Sequence, residues 1–235
     1  VLFGLVGQVA WVVENMYLNI FIYKMFHASA ADISLMVSAS SVAATLTTIL
    51  IGALSDYIGK RKIFICGGYM VWGVSILGFG LVRMDVLTPL CGGTVQAAAL
   101  GVSLVIILDC VMTFFGSAAN DAAYNSWLTD VGDESNRGKI EGINAMMPLV
   151  AILVVFGGFM GFNLDMASWS LIFVIIGSIV IVLGALGIFL IEEAPTGKVQ
   201  TGNTEEKQEF TYLQNVLYSF RIRTFKDNKL LYAVI

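Results

Sequence analysis

Six apolar runs, most of them about twenty residues long, leave this chain few folds to choose from. They cover about Leu2 to Tyr23, Ile33 to Ala53, Ile63 to Val82, Ala97 to Trp127, Ile140 to Leu164 and Trp169 to Ile191. A helix of about 20 residues crosses a hydrocarbon core of roughly 30 Å. Inside lipid every backbone amide must find its partner within the protein, and a helix does this within one segment. Composition agrees. Only 13% of the 235 residues are charged and 57% are hydrophobic, whereas soluble domains carry about 25% charged residues. The expected fold is all-α and integral to a membrane, in contact with the lipid bilayer, with six transmembrane helices.

Other classes find little support. A net charge of −4 says little, because orientation follows where Lys and Arg sit, and nothing points to a nucleic acid. Cys66, Cys91 and Cys110 share no metal or redox spacing; Cys66 and Cys110 fall inside spans and read as small apolar residues. No metal and no cofactor is expected. The single histidine, His27, falls in a loop without partner ligands. Paired aspartates in a Gly-x-Gly-Asp setting, or a serine with a histidine, would mark an intramembrane protease, and neither is present. Rings of charge or a carbonyl-rich filter would mark a channel. The first run has no basic flank or cleavage site of a signal peptide. The chain starts and stops inside apolar runs, so the expectation is a fragment cut at both ends.

Polar residues are distributed unevenly over the spans. The first holds Gln8, Glu14, Asn15 and Asn19; Gln8, Trp11, Asn15 and Asn19 recur at spacings of three and four and share a face, with Glu14 beside it near mid-depth. The second carries a stripe of Ser34, Ser38, Ser41, Thr45, Thr48 and Gly52, suited to close helix packing, with solute contact as the competing reading. The fourth is longer than a bilayer requires. It places Asp109 near mid-depth, then Asn120, Asp121, Tyr124 and Asn125; Asp109, Asn120, Tyr124 and Trp127 fall close to one face. The fifth holds Asn144, Pro148 and a Gly157-x-x-x-Gly161 pair that allows another helix to approach. The third and sixth hold no carboxyl. A carboxylate facing lipid costs at least roughly 2.5 kcal/mol, so Glu14 and Asp109 are expected to face the bundle interior or a watery cavity.

Between the second and third runs lies Gly52-Ala53-Leu54-Ser55-Asp56-Tyr57-Ile58-Gly59-Lys60-Arg61-Lys62. Three consecutive cations keep this stretch out of the bilayer, and Gly52 and Gly59 are expected to supply a tight turn. It resembles the loop between helices 2 and 3 of the major facilitator superfamily, whose pattern is Gly-x-x-x-Asp-Arg/Lys-x-Gly-Arg/Lys-Arg/Lys. Gly52, Asp56, Gly59, Lys60 and Arg61 match at the family's spacing, while Tyr57 stands where a cation is usual. The resemblance implies one six-helix half of such a transporter over residues 1–191, a cytoplasmic interdomain linker with an amphipathic helix over 192–228, and the start of a seventh helix over 229–235. It implies that helices 1, 2, 4 and 5 line a central cavity, that 3 and 6 are peripheral, that the motif loop regulates conformational switching, and that the C-terminal half of the chain is a partner.

Loop two-three, loop four-five and the tail after the sixth run hold 11 of the 13 Lys and Arg, so the even-numbered loops, the tail and the N-terminal side are expected in the cytoplasm of a bacterial-type plasma membrane. Lys24 and Arg83 are left to snorkel at outer span ends. The implied function is secondary active transport of a small polar solute by alternating access, coupled to H+ or Na+. A drug or metabolite efflux antiporter and a transport-inactive sensor on the same fold are the alternatives. Asp121-x-x-Tyr124 and Arg137-Gly138 resemble the melibiose-permease-type sugar:cation symporters, although those bind their cation with acidic residues on helix 2 and the second span here has none. Trp11, Tyr17 and Trp127 are candidates for stacking on a sugar ring. Asp109 is the expected coupling group, with a polar track through Asn120 and Tyr124, and Glu14 the expected solute contact.

Overall fold

The computed structural model describes residues 1–133, 135–159 and 166–193, with no side-chain detail for 166–168. All six runs are helices, and among the described residues there is no strand. The spans are Leu2–Phe26, Ala30–Ile58, Arg61–Phe79, Thr94–Val131, Arg137–Phe159 and Met166–Leu190, called spans 1 to 6. The expected linker from residue 194 on, its amphipathic helix and the start of a seventh span lie outside the described residues.

Boundaries shift where capping chemistry decides them. Span 1 ends at His27, which takes the left-handed conformation (φ 54°). Span 2 starts three residues early because Ser29 and Asp32 form a reciprocal capping box, with Ser29 N–H donating to Asp32 Oδ2 at 2.8 Å and Asp32 N–H to Ser29 Oγ at 3.2 Å. At its other end the helix runs on through Gly52, Asp56 and Tyr57 to Ile58. Gly59 alone makes the turn, at φ 66°. The expected turn role of Gly52 is therefore corrected: it sits within the helix, where an added Cβ would lie 3.9 Å from Cβ of Ala122 on span 4. The segment after span 3 is a short helix, Met84–Cys91, rather than a plain loop. Arg83 does not snorkel alone but pairs with Asp85 in a two-pronged contact at 2.9 and 3.0 Å.

Two spans are not uniform α-helix. Span 1 widens to i→i+5 hydrogen bonding over Glu14–Leu18, and span 4 does so over Ser117–Tyr124. Such wide turns are rare and collect at functional sites. Side-chain amides serve carbonyls at both. Asn15 Nδ2 donates to the Trp11 carbonyl at 2.8 Å, and Asn125 Nδ2 to the Asp121 carbonyl at 3.1 Å.

Lipid tails are as apolar as leucine, so close backbone approach rather than water exclusion holds these helices together. The broadest interface joins spans 3 and 6. A Cβ on Gly73 would lie 2.6 Å from the Gly177 carbonyl, and one on Gly184 would lie 2.8 Å from the Met70 amide nitrogen. Trp72, Tyr69, Phe79, Trp169 and Phe173 fill the surrounding core. One expectation about packing, the stripe on span 2, is corrected, and the Gly157–Gly161 pair reaches beyond the described residues. Gly157 meets nothing within 4 Å, and Gly161 lies outside the described residues. The small-residue stripe on span 2 is exposed at Ser34, Ser38, Ser41, Thr45 and Thr48; the buried face is Met36, Ser40, Thr47 and Ser55. The hydroxyls of Ser41, Thr45 and Thr48 donate back to their own helix, at 2.7, 2.9 and 2.9 Å, which satisfies them without a neighbouring helix.

Candidate functional site

Spans 1, 2 and 4 enclose a cavity of about 400 Å³. Spans 3, 5 and 6 contribute no side chain to it. The cavity-lining role expected of the fifth helix is thus not met here; Asn144 of span 5 instead donates to Asn125 Oδ1 at 3.4 Å. Trp11, Glu14, Asn15 and Asn19 line the cavity from span 1, and Asp109 and Asp121 from span 4. On a uniform α-helix Glu14 stands beside the Trp11–Asn15 face. Three residues from Trp11 and at the start of the wide turn, Glu14 lines the same wall.

Asn120 and Tyr124 do not reach the cavity. Asn120 is 2% exposed, accepts from the Tyr69 hydroxyl at 2.8 Å and donates to Asp121 Oδ1 at 3.1 Å. Tyr124 stacks on Phe3, centroids 6.4 Å apart, close to Gly4. The expected track through Asn120 and Tyr124 is corrected accordingly. The polar line along the cavity is Asp109, Thr113, Ser117 and Asp121, four residues apart, all lining it. That spacing stands in the sequence, but Thr113 and Ser117 carry no charge and sit in an apolar stretch, so they read as small packing residues.

The carboxyls gather at one level. Thr113 Oγ1 donates to Glu14 Oε1 at 3.0 Å. The carboxyl of Asp109 lies beside that of Glu14 and near the Ser40 hydroxyl. Asp109 is 2% exposed. Glu14 Oε2, Asp109 Oδ1, Asn19 Oδ1 and Ser117 Oγ are buried without a hydrogen-bond partner among the described residues. Native interiors hold few such atoms, and four on one cavity mark it as a place for a ligand or an ion. Among the described residues no Lys, Arg or His lines the cavity, and no cluster of metal-ligating groups occurs.

Of the three aromatics considered for stacking, only Trp11 lines the cavity. It leans on Trp72 at 5.0 Å, and both rings crowd Gly116, where a Cβ would come within 2.8 Å of Trp72 and 2.9 Å of Trp11. Tyr17 packs between Phe159 and Trp169. Trp127 stacks on Tyr124 and donates its indole N–H to the Glu192 carbonyl at 3.0 Å.

At one end of the bundle the motif residues form a second cluster. Arg61 pairs with Asp56, donates from Nε to Asp130 Oδ2 at 3.0 Å, and from Nη1 to Ser55 Oγ at 2.7 Å. Spans 2, 3 and 4 are thereby tied by one guanidinium, whose planar fork suits two carboxylates. Asp130 belongs to the last turn of span 4 rather than to a loop. Lys60 and Tyr57 are exposed. Nearby, the Lys62 amide donates to Glu193 Oε1 at 3.4 Å.

Residues 2–235 match the family described as Major Facilitator Superfamily. No curated protein and no solved structure matches the chain.

Proposed function

The chain belongs to the major facilitator superfamily and is a multi-pass membrane transporter; on that footing we propose that it is a secondary active carrier, moving a small polar solute together with a coupling ion by alternating access. The observation that carries this reading is the cavity of about 400 Å³ with unpartnered carboxyl oxygens from two spans. Small-molecule sites occupy roughly 300–1,000 Å³. Ionisable groups inside a membrane are costly and mark ion or solute pathways. Asp109 is the coupling group: it is the most deeply buried carboxyl on the cavity and heads the line through Thr113 and Ser117 to Asp121. Asn15, Asn19 and Trp11 face the solute. Amides beside an aromatic wall suit a hydroxylated ring, and a sugar is the solute class proposed.

The cluster around Arg61 is the switching latch of this carrier, on its cytoplasmic side. The test of function is Asp109→Asn in the full-length protein, reconstituted in vesicles. Loss of gradient-driven accumulation with counterflow exchange retained is the expected result. Unimpaired accumulation would rule out Asp109 as the coupling group.

A further inference from the structure

Glu14 and Asp109 present a donor deficit that a single particle can fill. Oε1 of Glu14 already accepts from Thr113 at 3.0 Å. The Ser40 hydroxyl lies beside Asp109 and 3.1 and 3.3 Å from the Met36 and Val37 carbonyls, so its one proton has several acceptors to serve. That leaves Oε2 of Glu14 and Oδ1 of Asp109, both buried, each without a donor. Among the described residues the surroundings offer no counter-charge. Behind Glu14 stand Ile76 and Phe79 of span 3, Met112 of span 4 and Phe173 and Ile176 of span 6. Span 2 presents Met36, Val37 and Ser40. The remaining titratable group facing the pair is Asp121, which has its own donor in Asn120.

Two unpaired negative charges side by side in such a setting are strongly disfavoured. One proton removes one charge and gives both orphaned oxygens a partner, bonded covalently to one and accepted by the other in a charge-assisted O–H···O contact. We propose that Glu14 and Asp109 are one proton-binding unit, sharing a single proton between Oε2 of Glu14 and Oδ1 of Asp109, and that this proton is the coupling ion. The second clause rests on the carrier reading; the first does not. The assignment moves Glu14 from solute contact to coupling. Thr113 becomes a positioning residue, since its hydrogen bond orients the Glu14 carboxyl so that Oε2 points away from it. Such a pair loses its two protons in two steps that belong to both carboxyls together, and the shared proton is the second to leave.

The experiment counts protons released by the purified full-length protein as pH is raised from about 6, above the range in which ordinary carboxyls ionise, for wild type, Glu14→Gln, Asp109→Asn and the double variant. A shared proton makes wild type release one more than the double variant. Each single variant then matches the double, because the amide supplies the donor that the proton supplied. Two extra protons in wild type with one in each single variant, an extra proton kept by one single variant, or none in wild type would each overturn the pair. Should a variant fail to fold, infrared difference spectra of wild type alone replace the count. One protonated carboxyl should disappear as pH is raised, and the loss of two or of none overturns the pair. Transport is read separately in vesicles. Accumulation should follow a proton gradient and fall to the exchange level in either single variant. Accumulation driven by a sodium gradient at constant pH overturns the proton as coupling ion. A wild type that shares one proton yet neither exchanges nor accumulates solute refutes the carrier and not the pair.

Discussion

Gly7 shows how much one hydrogen atom in place of a side chain decides. A Cβ there would overlap the Asn120 amide and come within 2.8 Å of the Tyr69 hydroxyl. That hydroxyl sits 2.8 Å from both the Phe3 carbonyl and Asn120 Oδ1, so spans 1, 3 and 4 meet at one buried oxygen. Gly7→Ala should displace this contact and destabilise the fold by about 1–3 kcal/mol, the usual cost of overpacking. Gly157→Ala has open space around it and should be neutral or stabilising by up to about 1 kcal/mol, because alanine is the better helix former. Melting temperatures in detergent check both. Equal effects at the two sites would mean that Gly7 does not interlock the spans.

Among elements, the wide turns and the helix ends differ in what they control. The wide turns in spans 1 and 4 contain Glu14 and Asp121, both of which line the cavity. The spans 3 and 6 pair is backbone against backbone at Gly73 and Gly177. Gly177→Leu should therefore force the two helices apart and cost at least about 1–3 kcal/mol, seen as lost folded yield or a lower melting temperature, with a wild-type melt counting against that contact. The Arg61 latch is a gentler device. Asp56 is 54% exposed in its side chain, and exposed ion pairs contribute about 0.2–1 kcal/mol. Asp56→Asn should slow turnover by no more than about fivefold, leaving folding and solute affinity nearly intact. With Asp130→Asn added the slowing should deepen, because Arg61 then loses both carboxylates. Turnover measured at saturating solute decides; an unchanged rate in the double variant would leave the cluster with a role in topology alone.

For the whole molecule the testable statement is orientation. Single cysteines placed near Pro89 and near Asp165 should react with an impermeant reagent from outside intact cells. Those near Lys60 and Arg137 should not. The reverse pattern would turn the bundle over and move the Arg61 latch to the outer side. The expectation follows from the Lys and Arg census.

Sequence by itself determined the number of spans, their approximate ends, the family and the two spans that carry mid-depth carboxyls. These follow from one-dimensional quantities: the length of an apolar run against bilayer thickness, a local motif, and the cost of charge in lipid. It also singled out Trp11, Glu14, Asn15, Asn19, Asp109 and Asp121, all of which line one cavity. Tertiary structure decided the rest. Which side chains reach one cavity depends on how the spans pack together, so Glu14 lines it beside Trp11, and Asn120 and Tyr124 do not. Small residues pack wherever the partner backbone happens to lie, so Gly73 and Gly177 made the close approach rather than the serine stripe of span 2. Hydrogen-bond accounting needs neighbours from other spans. Only with spans 1, 2 and 4 assembled does it emerge that Thr113 serves Glu14, and that one oxygen of each carboxyl in the Glu14–Asp109 pair is left without a donor.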